Sequence, residues 1–352
     1  MNALCAHFGT CGGCAFQDLG DAEYRARKRA LVVDALERHH LRAEVADTVE
    51  VPAASRRRCV FKIKKTGSAV AIGFHARASH DIVDMRECRV LTKPLAALVP
   101  RLRDIMGEVL SDGEACEAHA TQAANGIDLM LRWRRRVTMA TTGALARWAG
   151  RNGVVRITAG QEILVELEKP FVKIASARLQ LPPGAFLQPT QAGEALLQAH
   201  VAKAVAGARQ VADLFAGCGT FALSLAAKAK VHAVESEQTQ LDALAQAVRG
   251  ARGLKPVTTE RRDLFKHPLS AAELGRFEAI VLDPPRAGAS TQIAEIAASK
   301  VARVAYVSCN AQSFARDAAT LVAAGWILRR VVPVDQFLWS EHIEIAADFV
   351  RN

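Results

Sequence analysis

At 352 residues, 50% apolar and 23% charged, the chain has the composition of a folded protein of two or three domains, which excludes a disordered or fibrous one. Charges, prolines or glycines break every apolar run below membrane-spanning length, and Met1–Gln17 holds Cys, His and Gly where a secretory signal needs an apolar stretch. The expectation is a soluble, cytoplasmic protein with no membrane partner, no evident obligate protein partner and, from its net charge of +10, a polyanionic ligand.

Three stretches are expected, 1–92, 93–183 and 184–352. The first holds five of the eight cysteines, a helix from Asp21 to about His40, and the basic run Arg56-Arg57-Arg58 with Lys62, Lys64 and Lys65. Charge there alternates with Val60, Phe61 and Ile63, as on a strand with one wet face that could lie along a phosphate backbone. The second carries short alternating segments, Gly126–Trp133 and Glu162–Glu168, expected to form an antiparallel α+β region, and a second basic cluster, Arg132 and Arg134 to Arg136 around Trp133.

Pro182-Pro183-Gly184 marks the next boundary, after which strand and helix alternate. Strands are expected at Gln210–Phe215, Lys230–Val234, Val257–Arg261, Ala279–Leu282 and Arg303–Val307, in a parallel, doubly wound α/β sheet. Ile327–Val334 and Ile343–Val350 have no helix between them and should form an antiparallel hairpin on the sheet edge.

The loop after the first of these strands reads Asp213-Leu-Phe215-Ala-Gly217-Cys-Gly219. Its glycines let the backbone approach a ligand at the start of the following helix, a pattern that dinucleotide sites share. Asp213 would repel a pyrophosphate and attract the amino group of S-adenosylmethionine. Glu235 ends the second strand, where an acid can accept from ribose hydroxyls; Asp263 follows the third and could meet an adenine amine; Asp283 ends the fourth.

Asp283-Pro284-Pro285 gives the fourth strand a rigid exit, and Arg286 stands where amino-group methyltransferases have a base-stacking aromatic. Ser308-Cys309-Asn310 ends the fifth strand at the start of a helix, whose dipole should favour a thiolate. Carbon 5 of uracil is a poor nucleophile until a thiolate adds at carbon 6, so Cys309 is a candidate nucleophile and Glu344 a candidate base for the carbon-5 proton.

Residues 186–352 resemble the catalytic domain of the bacterial RNA uracil-C5 methyltransferases. The likeness rests on Phe186-Leu-Gln188-Pro-Thr, the 213–219 loop, Val234-Glu235, Asp283-Pro-Pro-Arg, Ser308-Cys309-Asn310 with Ala315-Arg316-Asp317, and the Asp335-x-Phe337…His342-x-Glu344 ending. It implies a Rossmann-like class I methyltransferase domain, contacts to S-adenosylmethionine from Gln188, Phe215, Glu235 and Asp283, and the stated roles for Cys309 and Glu344. Ala311, Leu338 and Ser340 depart from the family's usual Pro, Pro and Thr.

Cys5, Cys11 and Cys14, with the distant Cys88, form a thiol set that could hold zinc or an iron–sulfur centre, with Gly12 and Gly13 allowing a tight wrap. The spacing resembles the [4Fe-4S] site of the family's rRNA branch, which implies that cluster and 23S rRNA as the substrate. The β-barrel RNA-binding domain that precedes the cysteines in some relatives is expected to be missing, leaving RNA grip to the basic central region. The competing functions are a tRNA uridine C5-methyltransferase and a non-catalytic iron–sulfur RNA-binding protein. A nicotinamide dehydrogenase would need a second mononucleotide-binding half, for which the terminal hairpin leaves no room.

Overall fold

The computed structural model describes residues 4–351. Helix α1 (Asp21–Arg38) is followed by two minimal strands, β1 (Glu44–Val45) and β2 (Val49–Glu50). Strands β3 (Arg58–Thr66), β4 (Ala69–His75) and β5 (Ile82–Asp84) lead into α2 (Lys93–Val109). The chain continues through β6 (Ala115–Gln122), β7 (Ile127–Arg132), α3 (Met139–Asn152), β8 (Val154–Ala159) and β9 (Glu162–Glu166), with the hairpin β10 (Phe171–Ile174) and β11 (Ala177–Gln180) after it.

The expected division near residue 92 has no counterpart in the strand pairing. One seven-stranded sheet runs β5-β4-β3-β6-β7-β8-β9, and β3 pairs with β6 along its length. Its buried face packs Phe61, Ile63, Ala118 and Leu129 under α2 and α3. The pairing is not wholly antiparallel: α3 carries the chain back so that β8 lies parallel to β7. Strand β3 alternates as its sequence suggests, with Cys59, Phe61 and Ile63 buried and Arg58, Val60, Lys62 and Lys64 outward.

The remainder is α4 (Gln191–Ala204), β12 (Gln210–Leu214), α5 (Thr220–Leu225), β13 (Lys230–Glu235), α6 (Gln238–Gly250), β14 (Val257–Arg261), α7 (Ala271–Leu274), β15 (Ala279–Leu282), α8 (Ser290–Ala298), β16 (Arg303–Ser308), α9 (Ala311–Ala323), β17 (Ile327–Asp335) and β18 (Glu344–Val350). The strand order is β17-β18-β16-β15-β12-β13-β14, parallel from β16 to β14. Both faces are covered by apolar residues, so β12, β15 and β16 read as near-continuous hydrophobic runs.

The terminal hairpin is antiparallel but is not at the sheet edge. Strand β18 lies between β16 and β17, and β17 is covered in turn by β1 and β2. Val32, Ala35 and Leu36 of α1 belong to the same core as β15 and β16, so the start of the chain is built onto the large sheet. Among the described residues no helix is long and apolar enough to cross a membrane.

Candidate active site

Adjacent strands lie about 4.8 Å apart, so the ends of β15, β16 and β18 form one short row. Asp283 follows β15 and Cys309 follows β16 at their carboxyl ends; Glu344 opens β18, which runs the other way, so its first residue lies at that same end. All three line a cavity of about 650 Å³ together with Gln188, Phe215, Glu235 and Asp263. The catalytic and cofactor-contact residues expected from the sequence, with one exception, therefore line one cavity. Asp213 does not: it is 0% exposed and lies beneath α5.

The cofactor loop is shaped by its glycines. Gly219 has φ +94°, and a Cβ there would meet Leu244 at 2.5 Å. Phe215 is held at φ +59°, a costly conformation for an aromatic residue, with its ring 5.4 Å from Phe265 on the cavity wall. Glu235 accepts the amide of Gly217 at 3.0 Å and that of Ser236 at 2.6 Å, which fixes its carboxylate at the cavity rim. Asp263 accepts the amide of Phe265 at 3.0 Å.

Electrostatics at the site run against ionisation. Burial and the nearby Asp283 push the Asp213 carboxyl up to about 8; the Ala222 amide pulls the other way, and neither oxygen completes a hydrogen bond. Glu344 is buried and Asp283 half-buried, and both carboxyls are raised, chiefly by desolvation, Glu344 further by Asp283. The expected thiolate-favouring effect at Cys309 is overridden: burial, then Glu344 and Asp283, raise its thiol to about 11, with Arg286 as the main opposing charge. One residue of helix dipole is worth less than partial burial beside two carboxylates.

The loop bearing Arg286 is tied to α9. Asn310 Nδ2 and Ser313 Oγ donate to the Arg286 carbonyl at 3.0 and 3.1 Å, and Asp317 accepts from Tyr306 and from the amide of Ala289. Asp317 thus ties the start of α9 and the Ser308-Cys309-Asn310 turn to the Arg286 loop.

A family model described as tRNA (Uracil-5-)-methyltransferase matches residues 147–351. The chain is 43% identical to an uncharacterized RNA methyltransferase of Brucella suis, covering 100% of this chain and 85% of that one. It is 33% identical to the 23S rRNA (uracil(1939)-C(5))-methyltransferase RlmD of Aeromonas salmonicida, covering 98% and 82%. The chain belongs to the RNA uracil-C5 methyltransferase family. In fold it is similar to the Pyrococcus abyssi tRNA (uracil-54, C5)-methyltransferase solved with S-adenosyl-L-homocysteine, with a TM-score of 0.76 at 21% identity over 97% of this chain and 85% of that one.

In this family member the other side of the cavity comes from the seven-stranded sheet. Arg58 stacks over Phe186 at 4.6 Å, Arg56 over Phe337 at 5.7 Å, and His119 and Thr121 of β6 complete the wall. Of the first basic run, Arg57 is consumed structurally, donating to Glu194 at 2.5 Å and to the Gln188 carbonyl at 3.1 Å. Lys65 caps the end of α2 through the carbonyls of Gly107 and Leu110. These two cannot lie along phosphates. Lys62 is paired with Glu117 across β3 and β6, and it and Lys64 line an open groove of about 1480 Å³ with Arg132, Arg134 and Arg136.

Sequence context does not single out Gln336. It is 1% exposed, and its amide lies between Glu344 and Gln188. Its place next to Asp335 is the one signal that points to it. Asp335 accepts from Lys28 at 2.8 Å and from Tyr24, both on α1, while Lys28 also donates to the carbonyls of Phe337 and His342 at 3.1 and 2.6 Å.

Cys5, Cys11, Cys14 and Cys88 line a second cavity, of about 590 Å³, which shares Arg56, Cys59, Val60 and Phe337 with the first. Among the described residues no group of three or more His, Cys, Asp or Glu is placed closely enough to hold a metal ion. The segment is anchored: Gly12 donates to the His75 carbonyl at 2.9 Å, Ala6 to Glu87 at 2.6 Å, and Ala15 and Phe16 to the Trp339 carbonyl at 2.5 and 3.0 Å. Gly13 directs its amide at Cys11 Sγ, 3.4 Å away. Burial raises the Cys14 thiol to about 11, with Cys88, Cys11 and Cys5 adding to the rise.

Proposed function

We propose that this enzyme methylates carbon 5 of a uridine in 23S rRNA, with S-adenosylmethionine as methyl donor and a covalent bond between Cys309 and carbon 6 of the base. The observation that carries this reading is the row of Asp283, Cys309 and Glu344 on the cavity that also holds the 213–219 loop. The donor fits on chemical grounds: a loop that glycines let approach closely, the Phe215 ring and the carboxylates of Glu235 and Asp263 suit a ribose, an adenine and a sulfonium. When bound it supplies an electrophilic methyl group. Glu235 would hold the ribose hydroxyls, Asp263 the adenine amine, and Gln188, Phe215 and Asp283 the remaining contacts.

The chain's own residues do the rest. Cys309, its thiol proton given up to solvent, adds as thiolate to carbon 6 of a base turned into the cavity; the C5–C6 π pair moves toward the carbon-4 oxygen as an enolate, which makes carbon 5 nucleophilic. After methylation Glu344 takes the carbon-5 proton; the C5–H electron pair closes the C5–C6 double bond, and the sulfur–carbon bond breaks with its pair returning to Cys309. The outward row of β3 (Arg58, Val60, Lys62 and Lys64) leads from this cavity toward the basic groove, about 20 Å at 3.3 Å per residue, and supports a track for the RNA strand on either side of the target.

A [4Fe-4S] cluster is supported by the donor chemistry alone: four thiols around one cavity, which would have to draw closer together to hold it, with a backbone amide aimed at one sulfur. Zinc is the alternative occupant of such a set. The cluster's part is structural, holding residues 5–16 against Cys88 and the loop before Glu344. The tRNA reading is kept alive by the name of the matching family model. Mass spectrometry of rRNA and tRNA from a strain lacking this protein decides: the proposal requires loss of one or more 5-methyluridines from 23S rRNA, in the cytoplasmic pool, with tRNA unchanged.

A further inference from the structure

Glu344 is a base that its surroundings discourage from being one. It is 2% exposed, and it faces Asp283 from the end of β15 and Cys309 from the end of β16. Such a place favours the protonated form, and a protonated carboxyl cannot accept the carbon-5 proton. Among the described residues a single side-chain group donates to it. Gln336 Nε2 reaches Glu344 Oε2 at 2.8 Å, and its second hydrogen goes to Gln188 Oε1, also at 2.8 Å. Gln188 Nε2 then donates to Asp283 Oδ2 at 3.1 Å.

The order of this hydrogen-bonded row is fixed by its ends. Each terminal carboxylate takes an amide N–H, so the two glutamines can meet only with a hydrogen of Gln336 on the oxygen of Gln188. Turning either amide over would set an oxygen against a carboxylate. Gln336 is also closely packed against α4, where a Cβ on Gly193 would stand 2.5 Å from its Oε1 and 2.9 Å from its Cβ. Immediately before it, Asp335 is clamped by Lys28 and Tyr24.

We propose that Gln336 is a positioning residue for the resolution step, aiming Glu344 at the carbon-5 proton and favouring its charged form against the burial that opposes it. This rests on the covalent reading above. An amide neither gains nor loses a proton in the working range, so Gln336 holds the base without relaying protons. Losing one hydrogen bond to a charged group moves a pKa by about one to two units.

The test compares wild type, Gln336→Met and Gln336→Glu with Glu344→Gln, each as the full chain with methyl donor, on unmodified 23S rRNA and in parallel on unmodified tRNA. Methionine is nearly isosteric and donates nothing; glutamate replaces the donor with a third acid. Expected for both Gln336 variants are S-adenosylmethionine binding within about twofold of wild type, a protein–RNA adduct that accumulates at pH 7, and turnover slowed about tenfold. The acid limb of the pH–rate profile should shift upward by about one unit, so that activity recovers in base. If Glu344→Gln traps adduct while both Gln336 variants keep the wild-type profile and adduct level, the positioning role is overturned and the covalent reading stands. If Glu344→Gln traps no adduct on either RNA, the covalent reading fails and takes this inference with it.

Discussion

Ser308 pairs with Ile345 across the antiparallel strands β16 and β18, and this register sets the next residue of one strand, Cys309, beside the first residue of the other, Glu344. Two groups 35 positions apart in sequence are thus made neighbours by backbone pairing alone. Their closeness has an electrostatic cost, which the Glu344 carboxylate imposes on the thiol.

That cost is measurable at the thiol. With Cys309 raised to about 11, alkylation of the cofactor-free enzyme at this residue should be slow at pH 7 and keep accelerating into strongly basic solution. Removing one negative neighbour in Glu344→Gln should lower the thiol's pKa and speed alkylation at pH 8. Peptide mapping after timed iodoacetamide treatment reads both; alkylation already at its maximum rate at pH 7 would contradict these electrostatics.

Asp213 predicts a pH-dependent stability. Its folded-state pKa of about 8 stands above its ordinary 3.8, so the folded chain binds the extra proton; the contribution is fully present below about 4 and is lost as pH rises through about 8. Asp213→Asn should therefore raise Tm by several degrees at pH 8.5 and leave it nearly unchanged at pH 4. Thermal melts at the two pH values check the sign.

Lys28 and Asp335 form an ion pair with 0% side-chain exposure on either partner. Lys28→Met leaves a buried carboxylate without its cation and should cost about 3–5 kcal/mol. Because Lys28 also holds the carbonyls of Phe337 and His342, activity should fall together with stability. The exposed Arg25–Glu50 pair is the control, and Arg25→Met should leave Tm unchanged. Calorimetry of the two variants separates them.

RNA binding should respond to the open groove. Arg134→Glu with Arg136→Glu should weaken RNA affinity, lower the slope of log affinity against log salt by about one for each phosphate no longer neutralised, and leave S-adenosylmethionine binding intact. Titration at several salt concentrations is the measurement. For the cysteine cavity, anaerobically purified protein should contain iron and acid-labile sulfide, Cys88→Ser should lose both, and stoichiometric zinc without sulfide would contradict the cluster.

Much of this site is legible along the chain. Asp283, Cys309 and Glu235 announce themselves because each ends a short apolar strand, where a polar side chain must face a loop and the ligand side of a parallel sheet. What is not legible depends on pairing across long separations. Nothing local places β18 between β16 and β17, covers β17 with β1 and β2, or joins β3 to β6 over the expected boundary near residue 92. Arg57 reads as a phosphate ligand because its true partner, Glu194, lies 137 residues away. Cys309 reads as a ready thiolate because the carboxylates that oppose ionisation come from other strands. Gln336 lies inside a family motif, yet an amide's task is set by what it touches.

The most direct measurement is mass spectrometry of Glu344→Gln after incubation with unmodified 23S rRNA and S-adenosylmethionine, denatured and digested with protease and nuclease. The covalent mechanism predicts a peptide containing Cys309 that carries a methylated uridine through its sulfur, absent when Cys309 is also replaced by Ala. Unmodified Cys309 peptide throughout, with Cys309→Ala still methylating RNA at the wild-type rate, would contradict it.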